Sequence, residues 1–399
     1  MIPRHLASVL ARSAKEYPVV TMTGPRQSGK TTLARSVFEK FSYVSLENPD
    51  ERDFALNDPR GFLDRFQRGV ILDEVQRAPE LFSYIQGVVD ETDEPGRFLL
   101  TGSQNFLLLD RVSQSLAGRT SIHYLLPFSQ AEIEGRKAPN PDDVGRKIPK
   151  NDRTPGRTLF ETLFTGSYPR IHDKGLDPRT WLRNYYRTYV ERDVRSLLNV
   201  GDIEAFGRFI RLCAGRSGQL LNLSALGADC GLSHATARRW LSVLEASHLV
   251  YLLRPHHRNF NKRLVKSPKL YFLDTGLLCY LLRIRSPEAL VTHSSRGAVF
   301  ECFVVSELLK AHLNRGLEPD LFFWRDSAGH EVDLLLDRGK ELVPVETKSG
   351  ETITEDFFKG LEFWRSLPGQ GNSPPALVYG GKESYRRKDV AVYSWKDWL

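Results

Sequence analysis

The chain has 399 residues, of which 41% are hydrophobic and 26% are charged, a globular composition that excludes a disordered or fibrous chain. Its 56 Lys and Arg residues against 49 Asp and Glu give a formal net charge of +7. The length predicts two or three domains, and no apolar stretch approaches the roughly 20 residues that a membrane span requires, so no membrane contact is expected.

The N-terminal segment and the cysteines favour a cytoplasmic location. Charged residues interrupt the apolar positions near the N-terminus, and no small-residue cleavage site follows, as a secretory signal would require. Four cysteines are present without CxxC pairing: Cys213, Cys230, Cys279 and Cys302. We interpret them as buried, reduced thiols and expect no zinc site.

Strands and helices alternate over residues 1–134. Short apolar runs at Val19–Thr23, Tyr43–Leu46, Gly69–Leu72 and Arg97–Thr101 predict strands, and Lys30–Lys40 has helical spacing. Because alternation of this kind is typical of βαβ units, we predict an α/β domain with a parallel sheet.

The segment between the first strand and the first helix matches the phosphate-binding pattern GxxxxGK[ST] without a mismatch. Its residues are Gly24, Pro25, Arg26, Gln27, Ser28, Gly29, Lys30 and Thr31, and Thr32 follows them. In such a loop the backbone N–H groups surround the phosphates, the lysine reaches the β- and γ-phosphates, and the threonine hydroxyl holds Mg²⁺. The next helix directs the positive end of its dipole at the same phosphates. The pattern therefore predicts a P-loop NTPase domain that binds a nucleotide with Mg²⁺.

Two adjacent acids end the third predicted strand, in the segment VILDE. We expect Asp73 to bind the Mg²⁺ ion through its water shell, as the corresponding Asp does in P-loop NTPases. Glu74 is placed to polarise the attacking water as general base. The pair predicts nucleotide hydrolysis, and two plain surface acids at a strand end are the alternative.

Polar residues follow the fourth strand, at the carboxyl edge of the predicted sheet. Ser103 or Asn105 is expected beside the γ-phosphate, where either side chain would orient the water. Further along, Arg119 is a candidate for neutralising transition-state charge, within the chain or across a contact in a homo-oligomer. A surface or ion-pair role for Arg119 is the alternative, and the sequence shows no self-association surface that decides the oligomeric state.

These motifs resemble a known family. GPRQSGKTTLA, ILDEVQRAPELF, LLTGSQNFLLL and SLAGRT followed by LLPFS are similar to AAA-type ATPases of bacteria and archaea that carry a C-terminal domain of unknown function. FTGSYPR with YYRTYVERDVR resembles the opening of that second domain, so the resemblance covers essentially the whole chain. It implies ATP rather than GTP, bound at Lys30, Thr31, Asp73, Glu74 and the polar residue after the LLTGS strand.

The middle of the chain contains two segments that differ in composition and in predicted secondary structure. Residues 135–157 are rich in Pro, Gly and charge without periodicity, which predicts a linker or flexible loop. Residues 158–288 are mainly helical in pattern, and Asp177-Pro178 opens a long helix as N-cap and first residue. Between Gly175 and Leu270 there are 16 Lys and Arg against 7 Asp and Glu. This local excess favours nucleic acid or another polyanion as partner, although a solvated, Arg-rich helical face is the alternative.

Within this basic segment, Leu223–Cys230 and His234–Ala246 have helix-turn-helix spacing, with Ser233 as the N-cap of the second helix. A predicted hairpin, Val250–Leu253 with Leu270–Leu273, completes a winged helix. The second helix should bury Ala237, Trp240, Leu241 and Leu244. The expected DNA contacts, mainly to phosphates, are Arg238, Arg239, Arg258, Lys262 and Arg263. A rigid packing or protein-contact module is the alternative.

Residues 289–399 carry a second group of acids. A helix is predicted at Gly297–Leu313, and strands at Leu321–Trp324, Val332–Leu336 and Leu342–Thr347. Alternate residues of a strand share a face, so Asp333, Glu346 and Lys348 are expected together. Two carboxylates can hold a second Mg²⁺ or a Mn²⁺ ion, and a lysine can steady the attacking water.

With Glu301 on the preceding helix, this set is similar to the PD-(D/E)xK nuclease family. The resemblance implies a restriction-nuclease-like α/β fold that either cleaves nucleic acid or serves as an inactive scaffold. The leading hypothesis for the whole chain is an Mg²⁺-dependent ATPase of AAA type that couples ATP hydrolysis to DNA binding or processing. The alternative is an ATP-driven switch or assembly protein whose nuclease-like domain binds a partner without cutting.

Overall fold

The computed structural model describes residues 2–92, 94–103, 112, 114–149, 156–194, 203–256, 266–370 and 373–399. Four of the expected site residues lie outside these ranges: Asn105, Arg258, Lys262 and Arg263. In the ranges given, no helix is long and apolar enough to cross a membrane.

A five-stranded parallel sheet forms the N-terminal part, in the order β2-β3-β4-β1-β5. Its strands are β1 (Val19–Thr23), β2 (Ser42–Ser45), β3 (Val70–Asp73), β4 (Phe98–Gly102) and β5 (Thr120–Tyr124). The helices described around it are α1 (Ala7–Glu16), α2 (Lys30–Val37), α3 (Pro49–Asn57), α4 (Pro59–Asp64), α5 (Leu81–Thr92) and α6 (Gln130–Ile133). The predicted parallel α/β arrangement is confirmed, and it brings the carboxyl ends of β1, β3 and β4 to one edge.

Helices dominate the next part of the chain. They are α7 (Leu159–Thr165), α8 (Pro169–Lys174), α9 (Pro178–Tyr185), a π-helix (Tyr186–Val194), α10 (Ile203–Gly215), α11 (Leu223–Cys230), α12 (His234–Ala246), α13 (Thr275–Leu281) and α14 (Pro287–Val291). The Asp177 side chain accepts a hydrogen bond from the Thr180 N–H at 2.8 Å, so the predicted N-cap is confirmed. The predicted long helix differs in one respect, because its winding widens from α to π at Tyr186.

Helix α12 follows the prediction closely. The Ser233 hydroxyl accepts from the Thr236 N–H at 3.1 Å and caps the helix. The predicted apolar stripe is buried: Ala237, Trp240, Leu241 and Leu244. Arg238 and Arg239 are exposed on the opposite face, as expected.

An eight-stranded mixed sheet crosses from the helical part into the C-terminal part, in the order β12-β13-β11-β10-β9-β8-β6-β7. Its strands are β6 (Val250–Pro255), β7 (Lys269–Phe272), β8 (Leu321–Arg325), β9 (Glu331–Asp337), β10 (Leu342–Lys348), β11 (Ala376–Tyr379), β12 (Tyr385–Arg387) and β13 (Val390–Ser394). The long helix α15 (Arg296–Leu313) and α16 (Lys359–Ser366) pack against it. The predicted hairpin β6–β7 is confirmed, and β6 also pairs with β8 through Arg254 and Phe322. One hydrophobic core therefore runs through the helical and C-terminal parts.

The segment expected as a flexible loop is partly packed. Val144 is buried, and the Tyr393 hydroxyl accepts from the Gly145 N–H at 2.9 Å. The Arg338 guanidinium donates to the carbonyls of Pro141 and Val144 at 2.8 and 2.9 Å. Composition misleads here because side chains of the C-terminal sheet, distant in sequence, supply the hydrogen bonds that the loop lacks by itself.

Candidate functional site

The loop Gly24–Thr31 turns sharply between β1 and α2. Gly24 and Gly29 have positive φ angles of 151° and 94°, a backbone conformation that favours glycine. A Cβ at Gly24 would lie 2.1 Å from the Leu125 carbonyl oxygen, so no larger residue fits. Outside the loop, the Arg4 guanidinium donates to the Ser28 carbonyl at 2.8 Å and to the Leu126 carbonyl at 2.6 Å, which fixes the loop against the start of α6.

Lys30 lies at the base of this loop and is buried. Its Nζ donates to the carbonyls of Gly24 and Pro25, both at 2.9 Å. Burial lowers the pKa of Lys30 to about 8, against the opposing effect of the Glu74 and Asp73 carboxylates. The ammonium is therefore preorganised next to the loop, with its charge sensitive to pH near neutrality.

Asp73 is the centre of a hydrogen-bond network at the end of β3. Its Oδ2 accepts from the Thr31 hydroxyl at 2.8 Å and from the Tyr43 hydroxyl at 2.9 Å. Its Oδ1 accepts from the Thr101 hydroxyl on the neighbouring strand β4. Thr31 and Asp73 thus present two oxygen ligands side by side, which fits Mg²⁺, because Mg²⁺ takes one or two protein oxygens together with phosphate and water.

Glu74 follows Asp73 in a left-handed conformation with φ 54°. Its Oε2 accepts from the Ser103 hydroxyl at 3.0 Å and from the Gln76 amide at 2.5 Å. Strand β4 and the turn after β3 thereby hold the carboxylate in place. Of the two residues expected beside the γ-phosphate, Ser103 lies at this carboxylate and Asn105 is outside the described residues.

These residues line a cavity of about 400 Å³, and α8 lines it from the opposite side. The wall contributed by the N-terminal part includes Arg26, Gln27, Gly29, Lys30, Thr31, Thr32, Asp73, Glu74 and Ser103. From the helical part, Pro169, Arg170, Asp173 and Lys174 complete it. Sequence reasoning missed Arg170 as a site residue; its only signal was the family resemblance of the segment FTGSYPR.

Arg119 is not among the residues that line this cavity, and its role in hydrolysis stays a prediction. Its guanidinium pairs with the Asp90 carboxylate, and its carbonyl accepts from the Val19 N–H at 3.2 Å. Val19 begins β1, whereas the phosphate-binding loop follows the end of that strand. In a parallel sheet these positions are at opposite edges, which separates Arg119 from the site.

Family models match three parts of this chain, and the first match covers the nucleotide site. Residues 16–134 match the family described as AAA domain, and residues 156–288 and 296–398 match two domains of unknown function, DUF8612 and DUF4143. The uncharacterized proteins Rv2008c of Mycobacterium tuberculosis and Mb2031c of Mycobacterium bovis are each 32% identical over 392 residues, 98% of this chain and 82% of theirs. The chain belongs to their family. It has an ATP-binding AAA domain of the ATPase type.

Among solved structures, the Walker-type ATPase PABY2304 of Pyrococcus abyssi is 15% identical, with a TM-score of 0.42 over 71% of this chain and 96% of that one. The RuvB Holliday junction branch migration motor of Thermotoga maritima is 21% identical, with a TM-score of 0.29 over 62% of this chain and 87% of that one.

In the DUF4143 part, the structure brings together the four residues expected there. The Thr347 N–H and hydroxyl donate to Asp333 Oδ2 at 2.9 and 3.0 Å, and Lys348 Nζ donates to Glu346 Oε2 at 3.0 Å. Burial and the nearby Asp333 carboxylate raise the pKa of Glu346 well above its ordinary value. Glu301 reaches the same cluster from α15, where burial raises its pKa to about 7.

A further residue, Lys269, lies inside this cluster and was not expected from the sequence. It begins β7 and is 2% exposed. Its Nζ donates to Glu301 Oε1 at 3.2 Å, forms an ion pair with Glu331, and lies 4.0 Å from Asp333 Oδ1. The Tyr271 hydroxyl of the same strand donates to Glu301 at 2.6 Å.

The expected second metal does not fit this arrangement. Across the ranges the structure describes, no group of three or more His, Cys, Asp or Glu residues is arranged to hold a metal ion. The Lys269 ammonium also lies beside these acids and pairs with Glu301 and Glu331.

Proposed function

We propose that this protein is an ATP-driven switch whose AAA domain controls nucleic-acid binding, DNA foremost, by the basic helical part. The observation that carries the proposal is the composition of the nucleotide cavity, because the phosphate-binding loop and α8 line it together. A change in the bound nucleotide would therefore act directly on the helical part, which carries the excess of positive charge.

At the ATP site, the loop N–H groups and Lys30 would bind the phosphates, and Thr31 with Asp73 would hold Mg²⁺. Mg²⁺ supplies charge neutralisation on the phosphate oxygens. Glu74, held by Ser103, accepts a proton from the attacking water. Arg170 on α8 faces the same cavity and is our candidate for stabilising the developing charge, in the role first considered for Arg119.

Two further contacts support a coupling between the site and the helical part. The Tyr185 hydroxyl donates to the Arg26 carbonyl at 3.4 Å, and the Arg26 guanidinium lies over the Tyr189 ring, 5.7 Å from its centroid. A change in the loop on hydrolysis would move α9 and the π-helix through these contacts.

The basic surface supports nucleic acid as the partner. Helices α11 and α12 followed by the hairpin β6–β7 have the element order of a winged helix, and α12 exposes Arg238 and Arg239. Among the residues described, no carboxylate pairs with either guanidinium. The remaining expected contacts, Arg258, Lys262 and Arg263, belong to the segment that joins β6 to β7.

A second basic feature is a cavity of about 360 Å³ in the helical part. Its lining includes Arg179, Tyr186, Arg211, Tyr280, Arg283 and Arg285. Four arginines line this cavity, and arginine binds phosphate in bidentate geometry. This cavity supports a phosphate-backbone contact beside the winged helix.

A second candidate function is an ATP-driven assembly protein whose nuclease-like C-terminal domain is a non-catalytic scaffold. Lys269 favours a scaffold role for that domain, since its ammonium group pairs with Glu301 and Glu331 beside the expected metal ligand Asp333. We therefore include no cleavage in the proposal.

The test combines nucleotide state with a salt-dependent DNA titration. Glu74→Gln should bind ATP without hydrolysing it, so its DNA affinity with ATP is compared with that in ADP. We expect a difference of about fivefold or more, and a steep loss of affinity with salt. Lys30→Ala, which should lack ATP turnover, removes the nucleotide dependence. Equal affinities in both states would contradict the coupling, and no DNA binding at low salt would leave the assembly protein.

A further inference from the structure

We propose that Lys269 is the resident cation of the C-terminal carboxylate cluster, formed by Glu301, Glu331, Asp333 and Glu346, and that a divalent metal and Lys269 exclude each other there. The chain would then bind no metal at this cluster, and the hairpin β6–β7 would be held to the DUF4143 part by charge. This inference concerns the C-terminal sheet and does not depend on nucleotide or nucleic-acid binding.

The first step is geometric. Lys269 Nζ contacts Glu301 from α15 and Glu331 from β9, and Asp333 from β9 lies 4.0 Å away. Three carboxylates from two elements therefore lie around the Lys269 ammonium group. The Phe323 ring, with its centroid 5.6 Å from Nζ, lies against the same group.

The second step is energetic. Buried carboxylates that face each other repel and lose hydration, so a positive charge among them stabilises their ionised forms. Burial alone would lower the pKa of Lys269, yet the carboxylates of Glu301, Asp333 and Glu331 raise it above its ordinary value. Lys269 is therefore charged over the whole physiological range, and a divalent ion gains the site only by displacing a buried ammonium.

The third step is connectivity. The β7 backbone is fixed on both sides, because it pairs with β6 and its neighbour Pro268 accepts from the Leu221 N–H at 2.8 Å. The backbone of Lys269 is therefore held next to the cluster. Lys348 differs, because its side chain is 34% exposed and, among the pairs the structure describes, it forms an ion pair with Glu346 alone.

The experiment measures Mn²⁺ binding to the full chain without nucleotide, by electron paramagnetic resonance of free Mn²⁺. Lys269→Met removes the charge with little change in volume and should add one Mn²⁺ site per chain. Adding Asp333→Asn to Lys269→Met should abolish the added site, and the matched control Lys269→Arg, which keeps the charge, should not create it. A Lys269→Met protein that folds and binds no additional Mn²⁺ would overturn the proposal.

A second measurement needs no Lys269 variant and so covers the case in which Lys269→Met fails to fold. Wild type and Asp333→Asn are compared for Mn²⁺ stoichiometry and for the shift of melting temperature by millimolar Mn²⁺. If Lys269 is the resident cation, Asp333→Asn changes neither quantity. An Mn²⁺ site in the wild type that Asp333→Asn removes would show that metal, and not Lys269, is the natural occupant.

Discussion

At the scale of single residues, the charge of Lys30 links nucleotide binding to pH. The pKa of Lys30 is lowered to about 8, chiefly by burial, and phosphates bind the protonated form. Between about 8 and the ordinary value of 10.5 the unfolded chain binds more protons at this group than the folded chain. Its contribution to the free energy of unfolding therefore rises with pH in that window, while affinity for ATP falls.

The lowered pKa of Lys30 gives the first prediction. The dissociation constant for ATP should increase by about tenfold between pH 7 and pH 9, because the protonated fraction of a group with pKa near 8 falls by that factor. Isothermal titration at constant ionic strength measures it. An affinity that stays constant over this range would mean that Lys30 remains protonated in the free protein.

Two arginines give a matched pair for the second prediction. Arg170→Ala should reduce ATP turnover by about 10²-fold or more, since it removes a charge facing the phosphates. Arg119→Ala should leave turnover unchanged in dilute protein, because Arg119 is at the other edge of the sheet and pairs with Asp90. Phosphate release measures both. The reverse order of effects would place the functional arginine in an oligomer contact instead.

At the scale of elements, α12 carries the third prediction. Arg238→Ala with Arg239→Ala should weaken DNA binding on all sequences alike and lower the slope of log affinity against log salt by about 2. Arg216→Ala is the control, because Arg216 also carries one positive charge but pairs with Asp229. A slope change for Arg216→Ala that is half that of the double variant would mean that only total charge matters.

Elements defined by local chemistry could be predicted from the sequence. Three features depend only on residues close to them in the sequence, so their patterns can be recognised there. They are the glycines of the phosphate-binding loop, the Ser233 cap and the apolar stripe of α12. Lys269 and Arg170 could not be assigned in this way. Lys269 and Glu301 are in contact although they are 32 residues apart in the sequence. Arg170 lines the nucleotide cavity only because α8 packs against the loop.

At the scale of the whole molecule, a buried ion pair on α15 joins the AAA domain to the rest. Lys310 Nζ donates to Glu307 Oε1 at 2.8 Å and to the Phe128 carbonyl at 2.9 Å. Glu307 Oε2 accepts from the Gln130 N–H at 2.7 Å. Both charged side chains are 3% exposed, so their hydrogen bonds connect α15 directly to the start of α6.

The fourth prediction follows from this pair. Lys310→Met should lower the free energy of unfolding by about 3–5 kcal/mol, because it leaves the Glu307 carboxylate buried without its partner. Lys310→Met with Glu307→Gln should recover part of the loss, since no buried charge then remains. Denaturant unfolding measures both. A loss below about 1 kcal/mol for the single variant would show that water reaches Glu307.

The chain is synthesised from its N-terminus, so the hairpin β6–β7 is made before β8, the strand that pairs with β6. The hairpin leaves the ribosome before α15, β8 and β9 exist, so Lys269 emerges earlier than every carboxylate it will neutralise. Until β8 has been made, the edge of β6 that pairs with it is open. An unpaired strand edge promotes association with other chains. A nascent copy is therefore most exposed to misassembly in the interval between the synthesis of the hairpin and the synthesis of β8.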